Sequence, residues 1–249
     1  TKQKLDIKAA VEACEVPISH FHIAQQAMRR IDEEDAKSNN MNHKNDKILR
    51  IGYLSYDWRD HPMGRLTRRL VTSHSEARGF NSTCFSYGPN DGSDTRVMVE
   101  TNINSKFVDI AAMGLTNDAE AAHVVASTGL HILIDLTTHT FEGRIGIAAR
   151  GPAPIVINFL GWPGSTGCKG FDYALVDARA APPETTSHSF TEKLLYLPRS
   201  YQTNDLPNLE VSLDEETMLS NRNMLLDSVD WGQQENLRAR AQPLQLICS

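Results

Sequence analysis

The sequence predicts an α/β fold in which a doubly wound parallel sheet follows a short helical segment. From Ile48 onward, short apolar runs alternate with windows of helical periodicity, a pattern typical of βαβ units. Two of these runs, HILIDL and PIVINFL, are apolar nearly throughout. Such runs suit strands that helices cover on both faces of a sheet.

The first 36 residues are predicted to be helical. Apolar residues recur at helical spacing between Lys4 and Ala36, and Pro17 divides this stretch into two helices, with Ser19 as the N-cap of the second. The polar, Asn-rich stretch that follows has no apolar period, so residues 37–47 are predicted to be a linker.

Residues 48–205 are predicted to form the sheet and its helices. Two helical windows, GRLTRRLVTSHSEARG and TNDAEAAHVVASTG, both end in glycine, the usual signal for a helix C-terminus. The alternation stops after Asp205, so residues 206–249 are predicted to be a divergent tail of low order. The seven predicted strands are ILRIGYLS, STCFSYG, KFVDIAA, HILIDLT, APIVINFLG, FDYALVD and KLLYLP.

Composition excludes several classes of protein. The net charge is -6 and no basic stripe occurs, so we expect no nucleic-acid partner. No apolar run approaches the ~18 residues of a membrane helix, so we expect no membrane partner. The cysteines form no CxxC pair, and we expect four unlinked thiols in a reducing compartment, with neither a metal site nor a disulfide. These cysteines are Cys14, Cys84, Cys168 and Cys248.

Ligands of open parallel sheets bind beyond the carboxyl ends of the strands, and unusual loops follow three strands here. The first loop is DWRDHPMGRL. Pro62 suits the first position of a helix, which places His61 at the helix N-terminus. There His61 can donate to an anion or act as a base, or it can simply cap the helix or lie exposed.

The second loop, IDLTTHTFEGR, contains a carboxylate, a histidine and three threonines at a strand end. Asp135, His139 and Thr140 can hold a sugar or a phosphate there. The alternative is a hydroxyl-rich turn that caps the next helix. Four further histidines, His74, His123, His131 and His188, are predicted to be structural or exposed.

The third loop, FLGWPGSTGCKGF, has a glycine at every third residue from Gly161 to Gly170, around Trp162 and Pro163. Such a loop can present N–H groups to an anion or to hydroxyls. It matches neither GxxxxGK[ST] nor GxGxxG, so a structural loop rich in turns remains the alternative.

Five ordered motifs resemble one family. They are LRIGYLSYDWRDHPMGRL, HILIDLTTHTFEGR, RGPAPIVINFLGWPGSTG, DYALVDARAAPPE and FTEKLLYLP, from about Leu49 to Asp205. They resemble the catalytic region of the protein O-linked N-acetylglucosamine transferases and of the plant SPINDLY-type O-fucosyltransferases. The resemblance implies the N-terminal lobe of a two-lobed GT-B glycosyltransferase, and the helical segment would be the end of a tetratricopeptide-type array or linker helices.

The resemblance also implies roles for individual residues. His61 falls on the His-Pro of the family and His139 on its His-Thr, so both are predicted to be catalytic. The GWPG loop falls on the family's sugar-pocket loop, and no metal ion is implied. The predicted substrate-binding residues are Asp135, Thr140, Gly161, Trp162, Pro163, Gly164, Ser165 and Thr166.

The implied activity is transfer of a sugar to Ser and Thr hydroxyls of proteins, with inversion and without a cofactor. UDP-N-acetylglucosamine is the expected donor, with fucose less favoured, and the expected location is cytoplasmic or nuclear. In the family, a second lobe binds the nucleotide and should begin shortly after Asp205, but residues 206–249 do not resemble it. The chain is therefore expected to be incomplete and inactive by itself, and a non-catalytic interaction module or truncated pseudoenzyme is the alternative.

Overall fold

A computed structural model describes residues 12–17, 20–38, 48–74, 79–102, 104–186 and 188–203. These residues belong to a unit that spans Thr1–Asp205, and Leu206–Ser249 form a second unit. The predicted tail, the Ser19 cap, the helical prediction for residues 1–11 and linker residues 39–47 lie outside the described residues.

All seven predicted strands form, and they build one sheet in the order β3-β2-β1-β4-β5-β6-β7. Every neighbouring pair is parallel, which confirms the predicted α/β fold. The strands are β1 (Leu49–Ser55), β2 (Phe80–Ser86), β3 (Ser105–Asp109), β4 (Ile132–Asp135), β5 (Ile155–Phe159), β6 (Tyr173–Asp177) and β7 (Lys193–Leu197).

Helices follow most of the strands. A helical turn at residues 12–14 ends before Pro17, and the helix after it continues to Ser38, two residues beyond its predicted end. None of the helices in the described ranges is both long and apolar enough to cross a bilayer. The helices are α1 (Phe21–Ser38), α2 (Pro62–Thr72), α3 (Asp94–Glu100), α4 (Asp118–Ser127), α5 (Ile145–Ala148) and α6 (Pro183–Thr186).

The sheet has a core on each face. On one face, Leu54 of β1 packs with Val125 of α4 in a cluster of buried side chains. On the other face, Tyr53 of the same strand packs with Val71 of α2 and Val99 of α3. Because successive side chains of a strand point to opposite faces, this arrangement is that of a doubly wound sheet.

The chain that leaves β1 is anchored by Trp58. This side chain is 1% exposed, and its Nε1 donates a hydrogen bond to the carbonyl of Phe85 at the end of β2, at 3.1 Å. A buried tryptophan needs such a partner for its N–H group. The DWRDHP run is therefore held against the sheet by its tryptophan, with Asp57 buried beside it and Asp60 exposed.

The expectation of four unlinked thiols is wrong for one pair. Cys14 and Cys168 form a disulfide with their Cα atoms 4.6 Å apart, although 154 residues separate them. The physical reason is that residues 12–17 fold back onto the sheet, where Val16 packs against the core cluster that contains Cys168. Cys84 is free and buried, and Cys248 lies outside the described residues.

We predict that Trp58→Ala lowers the free energy of unfolding by about 3–5 kcal/mol, because a large core side chain and a buried hydrogen bond are lost together. Urea unfolding followed by circular dichroism measures this change. Val97→Ala is the control, since Val97 is 51% exposed and its truncation should change the free energy of unfolding by less than about 0.5 kcal/mol. Equal losses in the two variants would contradict the anchoring role of Trp58.

Candidate active site at the carboxyl edge of the sheet

The three unusual loops leave neighbouring strands of the sheet. They follow β1, β4 and β5, and β4 pairs with both of the others. The first two loops are joined directly, because the hydroxyl of Thr137 accepts a hydrogen bond from the N–H of Tyr56 at 3.1 Å and lies 3.3 Å from the hydroxyl of Ser55. The carboxyl edge of the sheet therefore brings the three sequence motifs to one side of the domain.

His61 caps helix α2 and Pro62 begins it, as the sequence predicted. Its backbone is extended (φ -141, ψ 150), and its Nδ1 accepts a hydrogen bond from the N–H of Met63 at 3.3 Å. The same Nδ1 lies 3.4 Å from a carboxylate oxygen of Asp57, so a protonated imidazole would exchange the cap for an ion pair. In the capping state the ring proton is on Nε2, which takes no part in the cap.

Asp135 ends β4 and is completely buried. Its Oδ1 accepts hydrogen bonds from the N–H groups of Thr137 (2.9 Å) and Thr138 (3.0 Å), which shapes the turn after the strand. Among the described residues, its Oδ2 has no hydrogen-bond partner. Burial is the largest effect on Asp135, and the two N–H donors oppose it. The net result is a pKa raised to about 6. Asp135 is thus a turn-forming carboxyl whose second oxygen is also buried.

The turn after Asp135 holds two non-glycine residues in the left-handed region. Thr138 has φ 47 and Glu142 has φ 59. Gly143 lies so close to the carbonyl of Thr138 that a Cβ atom would overlap it. Backbone conformations of this kind cost about 1–3 kcal/mol each and are concentrated at functional sites. The strained turn carries His139 at its tip.

His139 joins the second loop to the third. Its Nε2 is 2.7 Å from the carbonyl oxygen of Thr166, and its ring lies edge-on to Trp162 with the centroids 5.4 Å apart. A carbonyl only accepts, so Nε2 carries the hydrogen of this bond. Thr140, in contrast, uses its hydroxyl inside its own turn, where it donates to the carbonyl of Thr137 at 2.8 Å.

The glycine loop is held by contacts of its own. Gly161 lies against the backbone of Leu136, where a Cβ atom would overlap the carbonyl, so only glycine fits this crossing of two loops. Trp162 donates from Nε1 to the carbonyl of Ser165 at 3.0 Å. Trp162, Pro163, Gly164, Phe190 and Tyr201 are among the residues that line a small recess beside this loop.

Glu192 was not selected from the sequence, yet it fixes the glycine loop. The side chain is 5% exposed, and it accepts hydrogen bonds from the N–H of Thr166 (2.6 Å), from the hydroxyl of Thr166 and from the hydroxyl of Ser165 (2.8 Å). The hydroxyls predicted to bind substrate are therefore occupied within the protein. The only signal in the sequence was the place of Glu192 in the FTEKLLYLP motif, ahead of β7.

The structure thus brings His139 and the glycine loop into contact, as predicted, whereas His61 contacts Asp57 and Met63. A short distance between His61 and His139 remains a prediction. Of the four histidines predicted to be structural or exposed, three have structural partners. His131 accepts from the N–H of Arg50, His74 lies beside the hydroxyl of Tyr53, His123 packs against the ring of His20, and His188 is exposed.

We predict that Glu192→Ala lowers the free energy of unfolding by about 2–4 kcal/mol, since three donors around Thr166 lose a charged acceptor. Glu192→Gln should cost less, because the amide keeps one oxygen for the Thr166 N–H. Urea unfolding measures stability, and amide hydrogen exchange at Thr166 should accelerate in the alanine variant. Exposed Glu184→Ala is the matched control, and unchanged exchange at Thr166 in Glu192→Ala would contradict the contact.

We predict a pH-dependent difference between Asp135→Asn and the wild type. Because the folded pKa is raised from 3.8 to about 6, the wild type loses stability as pH rises through this window, when folding has to bury a carboxylate. Asparagine does not titrate, so the variant should gain about 3 kcal/mol on the wild type between pH 4 and pH 7. Unfolding free energies across this range test the slope. An Asp135→Asn curve that runs parallel to that of the wild type would contradict burial of this carboxyl in the folded protein.

Comparison with known proteins identifies a family for this chain. A family model described as glycosyl transferase family 41 matches residues 15–240, beyond both ends of the five motifs. The UDP-N-acetylglucosamine--peptide N-acetylglucosaminyltransferase of Caenorhabditis elegans is 34% identical over 162 residues, which are 65% of this chain and 14% of that protein. The probable enzyme of the same description, SEC, from Arabidopsis thaliana is 33% identical over 159 residues, which are 64% of this chain and 16% of that protein.

A solved structure has a related fold. A mutant O-GlcNAc transferase from Thermobaculum terrenum superposes with a TM-score of 0.59 at 29% identity, over 67% of this chain and 31% of that one. The chain spans 14% and 16% of the two curated relatives named above. Since the family model covers most of the sequence, the chain belongs to glycosyltransferase family 41.

Proposed function

We propose that residues 48–203 form the N-terminal lobe of the catalytic region of a protein O-linked N-acetylglucosamine transferase. The intact enzyme would move N-acetylglucosamine from UDP-N-acetylglucosamine to Ser and Thr hydroxyls of proteins. The observation that carries the proposal is the hydrogen bond between His139 and the carbonyl of Thr166, at 2.7 Å. It joins two motifs that resemble active-site loops of this family across 27 residues of sequence.

The proposed reaction has a simple balance. The acceptor oxygen forms a bond to the anomeric carbon while the bond from that carbon to the diphosphate breaks, with inversion. The hydroxyl proton has to leave, and the departing diphosphate has to be stabilised. We assign His61 to the acceptor side, where it orients the hydroxyl or takes its proton. As a base, His61 would act with its ring hydrogen on Nδ1, which then faces the Asp57 carboxylate at 3.4 Å instead of accepting from the N–H of Met63. Nε2 is then the free nitrogen that takes the proton.

The two other loops would form the wall against which the sugar rests. His139 is fixed by the carbonyl of Thr166 and by the ring of Trp162, so its imidazole has one orientation in the loop. We assign direct sugar contacts to Gly161, Trp162, Pro163 and Gly164. Positioning, rather than direct binding, suits Asp135, Thr140, Ser165 and Thr166, because their polar atoms bond to neighbouring loop atoms.

The donor and the setting of the reaction are part of the proposal. The curated relatives named above support UDP-N-acetylglucosamine over GDP-fucose, because UDP-N-acetylglucosamine appears in their descriptions. Proteins with accessible Ser and Thr are the proposed acceptors. No cofactor besides the donor is proposed, and a cytoplasmic or nuclear location and a preceding tetratricopeptide-type array remain predictions.

A chimera tests the proposal. Residues 48–203 of this chain replace the corresponding segment of the Caenorhabditis elegans relative, and transfer is measured with UDP-N-acetylglucosamine and with GDP-fucose. We predict transfer from UDP-N-acetylglucosamine and a loss of about 100- to 10,000-fold in His61→Ala, the range for removal of a general base. His188→Ala, at an exposed histidine outside the three loops, should retain the rate of the chimera.

Other outcomes would contradict the proposal. The 249-residue chain alone should show no measurable transfer, because the resemblance assigns the diphosphate contacts to a second lobe. Clear incorporation by the chain alone would remove the need for that lobe. A chimera that unfolds cooperatively but transfers neither sugar would favour a non-catalytic interaction module, and equal rates in His61→Ala and His188→Ala would remove His61 from the mechanism.

A further inference from the structure

Among the described residues, one group of side chains combines metal-binding chemistry with close spacing. The ligand atoms of Cys14, His139 and Cys168 all lie within 4.8 Å of one another. The three residues come from the N-terminal segment, from the turn after β4 and from the end of the glycine loop. His139 lies 125 residues after Cys14 and 29 residues before Cys168, so the three residues form no short metal-binding sequence motif.

The donor set of this group favours a thiophilic divalent ion. Thiolate sulfur and imidazole nitrogen suit Zn²⁺, whereas Mg²⁺ and Ca²⁺ require oxygen ligands. Zinc holds sulfur at about 2.3 Å and nitrogen at about 2.0–2.1 Å, so its ligand atoms lie roughly 3.5–4 Å from one another. All three atoms lie within 4.8 Å of one another, and the two sulfurs, which are bonded here, would have to separate to the ligand spacing of zinc after reduction.

The two cysteines form a disulfide in this structure, and disulfide sulfurs are not thiolate ligands. Reduction by a low-molecular-weight thiol inserts two electrons and two protons, so that the disulfide and two RSH become two protein thiols and RSSR. A Zn²⁺ ion would then replace both thiol protons, which are released to solvent. We propose that the reduced Cys14–Cys168 pair and His139 bind one Zn²⁺ ion, in a site that alternates with the disulfide.

The surroundings of the group suit a partly shielded site. Cys168 is 1% exposed, and Cys14 and His139 are half-buried. The imidazole has two nitrogens, so a bond from one of them to a carbonyl leaves the other for a metal ion, an arrangement common among metal-bound histidines. Three protein ligands leave a fourth position for water or a substrate atom, which is the pattern of open rather than structural zinc sites.

The position of the group links it to the glycine loop. The carbonyl of Thr166 lies 3.6 Å from the sulfur of Cys14 and 2.7 Å from Nε2 of His139. A metal ion held by these side chains would hold the His139 imidazole beside the loop through its second nitrogen as well. This consequence for the sugar site rests on the proposed function, whereas binding of the ion does not.

The test uses the full 249-residue chain without any sugar donor. The chain is reduced, freed of reductant under anaerobic conditions, and titrated with Zn²⁺ in equilibrium dialysis and with Co²⁺ as a spectroscopic probe. We expect one ion per chain, with a thiolate-to-cobalt charge-transfer band. Cys14→Ser and Cys168→Ser should abolish that band or weaken binding at least 10-fold, and His139→Ala should weaken binding by a similar factor.

Two controls keep the result interpretable. Cys84→Ser should bind like the wild type, because burial raises the pKa of this thiol and it lies outside the group. The oxidised wild-type chain, which needs no substitution, should show no charge-transfer band. Absence of binding by the reduced chain, binding unchanged in Cys14→Ser, or a band that persists in the oxidised chain would each overturn the proposal. Because no donor is present, none of these outcomes bears on transferase activity.

Discussion

The turn that follows each parallel strand is the constraint on which this site depends. Where a strand ends, the next N–H groups leave the sheet and need new acceptors. Asp135 and Asp177 both meet this need by accepting two N–H groups from the turn that follows. The second oxygen of Asp177 also accepts a hydrogen bond from the N–H of Tyr201. Burial alone would raise the pKa of Asp177, but its hydrogen-bond donors together outweigh burial, and the pKa is lowered. At Asp135 no hydrogen-bond partner for the second oxygen lies in the described part of the chain, and burial dominates the pKa.

The need for hydrogen-bond partners also explains why the glycine loop has a defined conformation. A loop rich in glycine loses much backbone freedom on folding, so it needs strong local contacts to hold one conformation. Glu192 supplies them from the strand side, and His139 supplies one from the turn after β4. Thr166 is therefore held through its N–H, its hydroxyl and its carbonyl at once. This organisation before any ligand binds is what a site that positions a reacting sugar requires.

The sheet could be predicted almost completely from the sequence, and the site only in part. The strands could be predicted because a buried parallel strand has a local apolar pattern. His61 and His139 could be selected because they follow such strands. Glu192 and the Cys14–Cys168 pair carried no local pattern, since each acts across a fold contact between distant segments. Asp135 and Thr140 were selected by residue type, but residue type does not reveal which polar atoms the turn itself consumes.

A ligand at this edge of the sheet can therefore be recognised only by groups that the turns do not use for their own hydrogen bonds. The hydroxyls of Ser165 and Thr166 are bonded to Glu192, and the Thr140 hydroxyl is bonded within its turn. Under the proposed function, the groups left for a sugar are the ring of Trp162 and glycine backbone that can approach a ligand closely. Such a surface would discriminate by shape more than by hydroxyl pattern, in line with the resemblance of this loop sequence to those of both N-acetylglucosamine and fucose transferases. Selection of the donor would then fall to the part of the enzyme that holds the nucleotide.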